Sequence, residues 1–499
     1  MRQENEGGIW LTALVTTAIV VLLVVFVGFI AGRDKASRSN IEEWSVGGRN
    51  FGGLLIWFLI GADVYTAYTF LGLTGYGYSL GAAAFFAVPY VVLAYPIAYY
   101  ILPRLWEYAA RYKLTTLADY ARERFQSRTL GVLVALTGII FLIPYIDLQL
   151  SGITGVVAVA GKGSFANPKA VGTIALVISF ILVALYTFFS GLRAPAWTSM
   201  IKDALVWIIM IIMVITVPFI LFGSWGNMYH TAVTQFPKTL TLHPGPHGDF
   251  WFMTSALISA LALFMWPHAS TGALSSRNAN NLRKNAVFLP FYNILLFFIT
   301  FLGIVAYMVL PHLKTPGYSN VILLYLIQHT YHNGVVQGLM YATVALASLV
   351  PASIMVLAAS NLFATNVLKD WLIPHMSDSA RTLTARWFVF VMTFLALLFG
   401  VLFPTQLISL QLEGVSGMVQ IIPAIGLSLF WRRLSNSAVT IGLIAGIAMV
   451  FLNHFVFKLA GYDGFWGLLV NIIVILLLNG LFRREAERNL QTNRLLNEG

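Results

Sequence analysis

Long apolar runs, separated by short polar loops, follow one another along almost the whole chain. A transmembrane helix needs about 20 mostly apolar residues, and by this rule the sequence predicts thirteen spans. They lie near residues 9–31, 54–80, 82–104, 129–160, 169–189, 198–223, 251–270, 284–311, 334–368, 385–403, 405–430, 437–459 and 464–481. The first run is too long for the core of a signal peptide, so we interpret it as a retained anchor. The pattern predicts an all-α polytopic membrane protein.

The composition agrees with a chain that is solvated mainly by lipid. Hydrophobic residues make up 59% of the 499 residues and charged residues 10%, whereas a soluble domain has about 25% charged residues. Cysteine is absent from the sequence, which excludes disulfides, thiol chemistry and Cys-ligated metals.

The net charge of +11 reports topology rather than nucleic-acid binding, because the basic residues gather in every second loop. They include Arg49, Arg104, Arg111, Lys113, Arg122, Arg124, Arg128, Arg193, Arg277, Arg283, Lys284, Lys369, Arg381, Arg386, Arg432, Arg433 and, in the tail, Arg483, Arg484, Arg488 and Arg494. Cytoplasmic loops of membrane proteins are enriched in Lys and Arg. We therefore expect an outside N-terminus and a cytoplasmic C-terminus in a bacterial-type cell membrane.

Span two is interrupted near its centre. Gly61 and Asp63 are followed there by Tyr65, Thr66 and Tyr68. A carboxylate near the bilayer centre is costly unless it is paired, protonated or hydrated, and glycine permits the local unwinding that exposes backbone carbonyls. The alternative is an ordinary kink with a locally hydrogen-bonded aspartate.

Span seven carries a second break, in the stretch LFMWPHAST. Pro267 removes a backbone donor, and Trp266, His268, Ser270 and Thr271 stand close to it. The two breaks are five spans apart, so the second unit enters the membrane from the opposite face. Interrupted helices at corresponding places of two inverted repeats are typical of secondary transporters whose site lies at the midplane. The spacing predicts a LeuT-like 5+5 architecture with broken core helices 1 and 6.

This architecture divides the chain into five parts. Residues 1–50 form a peripheral helix and a cytoplasmic loop, 51–225 the first repeat, 226–250 an extracellular loop, 251–432 the second repeat, and 433–499 two peripheral helices with the tail.

Four segments resemble the sodium/solute symporter family. EEWSVGGRNFGGLLIWFLIGAD resembles the entry into its first core helix, and FLGLTGYGY the second half of that helix. YTFFSGLRAPAWT resembles the family's G-G-L-R-A-V-x-W-T stretch with Ser190 for the first glycine, and SSRNANNLRKNAVFLP the cytoplasmic end of the sixth core helix. Within the family, GADVYTAYTFLGLTG, FLIPYIDLQLSG and SLVPASIMVLAASNLFATN resemble bacterial monocarboxylate permeases most.

The resemblance implies a sodium site between the first and eighth core helices. By this match, the backbone carbonyl ligands fall on Ala62, Tyr65 and Ala347, and the two hydroxyl ligands fall on Val350 and Pro351. Sodium is a hard cation that needs oxygen ligands, and neither of these two side chains has one. We therefore expect a vestigial sodium site. Ser348 and Ser353 flank these positions but are turned about 200° or more around the helix. The alternative is a one-turn alignment error, which would restore the site.

Lys202 lies on the fifth core helix, which in this fold runs beside the cation site. In some sodium-independent relatives of the wider fold, a lysine on this helix places its ammonium where the ion would sit. We expect Lys202 to do the same and to carry the coupling proton, because a lysine removed from water can exchange its proton. The alternative is a lysine that snorkels to the interface. Asp203, about 100° around the helix, is expected to be an interfacial residue.

Other polar residues within the spans complete the candidate site. Asp147 is either a second coupling carboxylate beside Asp63 or a structurally paired one. Gln420 is expected to donate to the substrate, Trp266 is either a gate or interfacial packing, and Glu413 is a vestibule charge. The predicted substrate-binding residues are Tyr65, Thr66, Tyr68, Trp266, His268 and Gln420, and the predicted coupling residues are Lys202, Asp63 and Asp147.

The sequence therefore predicts a secondary active symporter for a small monocarboxylate, such as lactate, pyruvate or a short-chain acid, driven by the proton gradient. Sodium coupling, with an amino acid or another small organic acid as substrate, is the first alternative. A membrane-embedded enzyme is disfavoured because H-E-x-x-H and G-x-S-x-G motifs are absent, and a transport-like sensor is a remote alternative. We expect no cofactor, and as partners only the substrate anion and the lipid bilayer, without nucleic acid or an obligatory protein partner.

Overall fold

The computed structural model describes residues 2–32, 40–161, 168–313, 319–402, 407–482, 485 and 487. Its α-helices are α1 (Arg2–Ala31), α2 (Ile41–Val46), α3 (Gly53–Ala62), α4 (Thr74–Leu80), α5 (Ala87–Arg111), α6 (Leu117–Phe125), α7 (Arg128–Ala160), α8 (Pro168–Ser190), α9 (Arg193–Phe222), α10 (Trp225–Gln235), α11 (Asp249–Ala262), α12 (Pro267–Leu274), α13 (Ala279–Tyr292), α14 (Ile294–Val309), α15 (Ile322–Thr330), α16 (Gly334–Leu362), α17 (Asp378–Leu402), α18 (Leu407–Met418), α19 (Ile422–Ile425), α20 (Asn436–Leu452) and α21 (Asp463–Leu481). No β-strand occurs in these residues, and an isolated bridge joins Phe51 to Ser276. The tail residues Arg483, Arg484, Arg488 and Arg494 lie outside the described residues.

Ten helices among the described residues are long and apolar enough to cross a membrane, or eleven when the bent pair α11 and α12 counts as one span. The predicted all-α polytopic fold is thus confirmed, whereas the number of thirteen spans stays a prediction. Part of the difference has a structural reason. The first half of span two is α3, which has only 10 residues, and its second half continues into span three as one helical path, Tyr68–Arg111.

Both predicted helix breaks are present. α3 ends at Ala62, and regular helix resumes with a π-helical turn over Tyr68–Leu73. α11 ends in a 3₁₀ turn over Leu263–Met265, and α12 starts at Pro267 after a bend of 51°. Proline suits the first position of a helix, because the N–H that it lacks would have no partner there.

The helices divide into a buried core and a lipid-facing periphery. The most apolar part of α16 is completely buried, and this helix packs against α1, α7 and α9. α20 and α21 pack chiefly on each other and expose most of their apolar surface. Exposed large apolar side chains are expected of helices that face lipid, because the bilayer rather than water solvates them.

Local capping fixes the short helix α6 between α5 and α7. The Thr116 side chain accepts from the backbone N–H of Asp119, and the Asp119 carboxylate accepts in return from the backbone of Thr116. This reciprocal capping box satisfies donors that the first turn of a helix leaves unpaired. At the other end of α6, Gln126 adopts the left-handed conformation (φ 49°) that stops the helix. The caps therefore set the direction in which the arginines of α6 project.

Candidate functional site

Lys202 reaches the break in the first core helix from α9. Its side chain is fully buried, and its Nζ donates to the carbonyl oxygens of Ala62 (3.1 Å) and Tyr65 (3.0 Å). The ammonium also lies 2.7 Å from Asp203 Oδ1. An ammonium has three N–H donors, so these three contacts use all of them. Lys202 therefore points into the protein, to the two carbonyls that the family resemblance assigns to sodium, and does not extend to the membrane interface.

Asp203 is buried, and the expectation of an interfacial residue is wrong. Its side chain is fully enclosed and pairs with Lys202. Tyr65, whose carbonyl oxygen accepts from Lys202, donates its hydroxyl to the Tyr292 carbonyl oxygen (2.6 Å). The physical reason is that α9 packs against both α3 and α16, so two of its faces are covered at this level.

The eighth core helix, α16, offers no hydroxyl pair for a cation. Val350 and Pro351 are buried and carry no side-chain oxygen. Pro351 also has no backbone N–H, so the carbonyl of Ala347, one turn earlier, does not receive the usual helical hydrogen bond. The neighbouring hydroxyls of Ser348 and Ser353 donate to carbonyls of their own helix (2.9 and 2.6 Å). Lys202 already occupies the carbonyl oxygens of the first core helix, and α16 supplies no free hydroxyl oxygens at the predicted positions. The ligands that remain do not fit a sodium ion.

Side chains of the third core helix hold the unwound segment in place. Gln149 of α7 accepts from the backbone N–H of Ala67 (2.9 Å). Thr66 Oγ1 accepts from the backbone N–H of Tyr68 (3.1 Å) and lies 3.3 Å from the hydroxyl of Tyr145. Gln149 and Tyr145 are not among the predicted site residues. Their spacing of four residues places them on one face of a mainly apolar helix, and this spacing is the signal that could have identified them.

A narrow cavity lies beside the two helix breaks. It is lined by Asp63, Val64, Tyr68, Tyr90, Tyr145, Ser259, Leu263, Trp266, His268, Leu412 and Val415. Its volume, for the centre of a water-sized sphere, is about 30 Å³, which is room for one or two water molecules. Both carboxylate oxygens of Asp63 and Nδ1 of His268 are buried without a hydrogen-bond partner among the described residues. The predicted residues Asp63, Tyr68, Trp266 and His268 therefore meet at one cavity.

The start of α12 presents backbone donors near this cavity. The first hydrogen bond there runs from Ser270 N to Trp266 O (3.0 Å), so the amides of His268 and Ala269 precede the intrahelical ladder. The rings of Trp266 and His268 pack against Tyr145, with centroids 5.1 and 5.6 Å away. An N-terminal helix end with free amides favours an anion.

Three of the predicted residues do not line this cavity, namely Gln420, Tyr65 and Asp147. Gln420 donates to the Ser416 carbonyl (3.0 Å), and its Oε1 accepts from Asn471 of α21 (3.3 Å). Its amide thus joins the tenth core helix (α18 and α19) to the peripheral pair α20 and α21, and a role of Gln420 as a substrate donor stays a prediction. The hydroxyl of Tyr65 is likewise used on the Tyr292 carbonyl.

Asp147 does not line the cavity. It faces α17, where a Cβ added to Gly400 would lie 2.0 Å from its Oδ1. Both of its carboxylate oxygens are buried without a partner among the described residues. A role of Asp147 in coupling stays a prediction.

Comparison with known proteins identifies the family. The model of the sodium:solute symporter family matches residues 44–446. The chain belongs to the sodium:solute symporter family. It is 56% identical over 481 residues to the "Uncharacterized symporter YodF" of Bacillus subtilis, covering 96% of this chain and 95% of that protein. It is 36% identical over 442 residues to the "Monocarboxylate transport permease protein" of Rhizobium johnstonii, covering 87% and 86%.

A solved structure of a Na⁺-coupled sialic acid symporter in a substrate-bound, outward-open state has a similar fold. The TM-score is 0.79 at 18% identity, covering 94% of this chain and 98% of that chain. At this identity the likeness shows the fold alone, which is LeuT-like. The symporter-family chain is therefore a multi-pass membrane transporter with a LeuT-like fold and not an enzyme.

Proposed function

We propose that this symporter imports a small monocarboxylate and couples its uptake to protons, with Lys202 in place of the sodium ion. The observation that carries the proposal is the position of the Lys202 ammonium, bonded to the carbonyls of Ala62 and Tyr65 and paired with Asp203. Lysine supplies the single positive charge of sodium on a group that can also release a proton, whereas arginine does not.

The charges around Lys202 support a link between proton and substrate. Asp63 interacts electrostatically with both Lys202 and Asp203, and the three groups carry one net negative charge when all are ionised. Asp63 also lines the cavity. A substrate carboxylate there would bring a second negative charge into a dry site, which is costly. Without the proton on Lys202 the three groups would carry two net negative charges, so the proton on Lys202 and the substrate anion favour each other's binding, as symport requires.

Two features support a monocarboxylate as the substrate. The amides at the start of α12 suit one carboxylate, and the aromatic rings of Tyr68, Tyr145 and Trp266 suit a short apolar chain beside it. The relative with 36% identity is named as a monocarboxylate transport permease.

We further propose the orientation that the basic loops favour, with the N-terminus outside and the C-terminus in the cytoplasm.

Uptake into proteoliposomes, with pH and sodium gradients imposed separately, tests the coupling ion. We expect radiolabelled lactate, pyruvate or a short-chain acid to accumulate against its gradient when the outside is acidic. The amount accumulated should not change when sodium is replaced by potassium or choline. Protein-free liposomes are the necessary control, because undissociated acids also cross lipid. Uptake that demands sodium would instead support the sodium-coupled alternative.

Competition by neutral analogues tests the substrate class. We expect the amide of the transported acid to compete at least about tenfold less well than the acid, because a charged acceptor makes the stronger hydrogen bonds. Tyr68→Phe and His268→Gln should change the apparent affinity, whereas Tyr99→Phe, at a residue whose side chain faces the outside of the bundle, should not. Equal competition by the acid and its amide would contradict a monocarboxylate site.

A further inference from the structure

A second, larger cavity opens at the arginine-rich end of the bundle, where α5, α6 and the chain after α19 meet. Its volume, for the centre of a water-sized sphere, is about 540 Å³. Four arginines line it, namely Arg104, Arg111, Arg124 and Arg432. Glu107 is the one carboxylate among the described lining residues, and it already pairs with Arg283 (3.3 Å). The cavity wall is therefore strongly positive.

Arg124 is built into this wall. Its side chain is only 5% exposed, and its Nη2 donates to the Arg432 carbonyl oxygen (3.1 Å). Its Nη1 is buried and has no hydrogen-bond partner among the described residues. The hydroxyl of Tyr108, which lines the same cavity, is also buried without a partner there. Because both atoms are enclosed, these groups of α6 and α5 form the inner wall of the cavity, behind the exposed guanidinium groups of Arg104 and Arg432.

The rim of the cavity is aromatic and faces outward. Arg104 lies over the ring of Phe430, 4.9 Å from its centroid, and Phe430 is 52% exposed. Tyr100, one turn before Arg104 on α5 and bonded to it through its carbonyl (2.9 Å), is 57% exposed. Aromatic side chains of this kind sit at the headgroup level of a membrane. The positive wall and the aromatic rim therefore lie side by side at the membrane interface.

We propose that this cavity binds the headgroup of an anionic phospholipid from the cytoplasmic leaflet. The guanidinium fork matches the geometry of a phosphate and binds it through paired hydrogen bonds. Basic pockets between transmembrane helices on the cytoplasmic side are suited to such headgroups. The outward-facing rim favours a lipid over a soluble phosphate, because it offers apolar surface where the acyl chains would leave the headgroup. A bound headgroup would join α5, α6 and the chain after α19, at the end of the tenth core helix. This proposal does not depend on which ion drives transport.

Thermal unfolding of the full chain in detergent tests the proposal. The 13 tryptophans provide the fluorescence signal. Phosphatidylglycerol should raise the unfolding midpoint in a saturable way, whereas phosphatidylcholine and glycerol 1-phosphate should not. Arg104→Gln and Arg432→Gln, at exposed positions that avoid a folding defect, should each weaken the apparent affinity for phosphatidylglycerol about fivefold. Arg124→Gln, which removes the buried positive charge of the inner wall, should also weaken it.

Arg433→Gln is the matched control, because Arg433 is the exposed neighbour of Arg432 and does not line the cavity. It should leave the affinity for phosphatidylglycerol within about twofold of the unsubstituted chain. The proposal is overturned if phosphatidylcholine stabilises equally, if Arg433→Gln weakens binding as much as Arg432→Gln, or if glycerol 1-phosphate alone reproduces the full stabilisation.

Discussion

Lys202→Gln is expected to abolish proton-driven accumulation of the substrate while the protein still reaches the membrane. Glutamine offers N–H donors to the carbonyls of Ala62 and Tyr65 but no charge that can be loaded and released. The measurement is steady-state accumulation in proteoliposomes under an imposed pH gradient, normalised to the amount of protein. Lys284→Gln, at an exposed lysine, is the control and should accumulate substrate normally.

Lys202→Arg separates the charge of the residue from its proton chemistry. Guanidinium supplies a positive charge but does not release its proton at any working pH, so this variant should also fail to accumulate substrate. Full proton-driven accumulation by Lys202→Arg would mean that Lys202 is only a fixed counter-charge for Asp203. Restoration of uptake by sodium in Lys202→Gln would indicate that the residues of the vestigial site still bind the ion.

The helix breaks could be predicted because their causes are local. Gly61 and Pro267 change the backbone wherever they stand, and a buried Asp63 requires an unusual environment. The position of Lys202 could be predicted for a related reason. The break frees the carbonyls of Ala62 and Tyr65, and α16 lacks the hydroxyls that would share a cation with them.

The positions of Asp203 and Gln420 depend on what covers them, which the sequence does not state. Helical periodicity gives the direction of Asp203 around α9, but not that α3 and α16 both pack against this helix. The polar pattern of the tenth core helix likewise reveals a buried amide at Gln420, but not that Asn471 of the peripheral α21 binds it. Both differences arise from tertiary packing between segments far apart in the chain.

Asp203→Asn is expected to be severe, although an interfacial aspartate would tolerate the change. The substitution leaves the Lys202 ammonium in a fully buried site without its counter-charge. Removing one partner of a buried ion pair costs about 3–5 kcal/mol. We therefore expect a lower unfolding midpoint and loss of proton-driven accumulation. Asp249→Asn, at an exposed carboxylate that begins α11, should change neither quantity. An unchanged unfolding midpoint in Asp203→Asn would contradict the buried pair.

The double variant Lys202→Met/Asp203→Leu separates the structural role of the pair from its role in coupling. Replacing both members of a buried ion pair by apolar residues is often neutral for stability, whereas removing one member is not. The double variant should thus recover part of the stability that Asp203→Asn loses. Recovery is incomplete because the carbonyls of Ala62 and Tyr65 remain buried without their Lys202 donor. Accumulation should stay abolished, since no group at this position can exchange a proton. Proton-driven accumulation by the stabilised double variant would show that the pair only holds α9 to the broken helix. The coupling proton would then travel through another group, and the first candidate is Asp63, the carboxylate that lines the cavity beside the break.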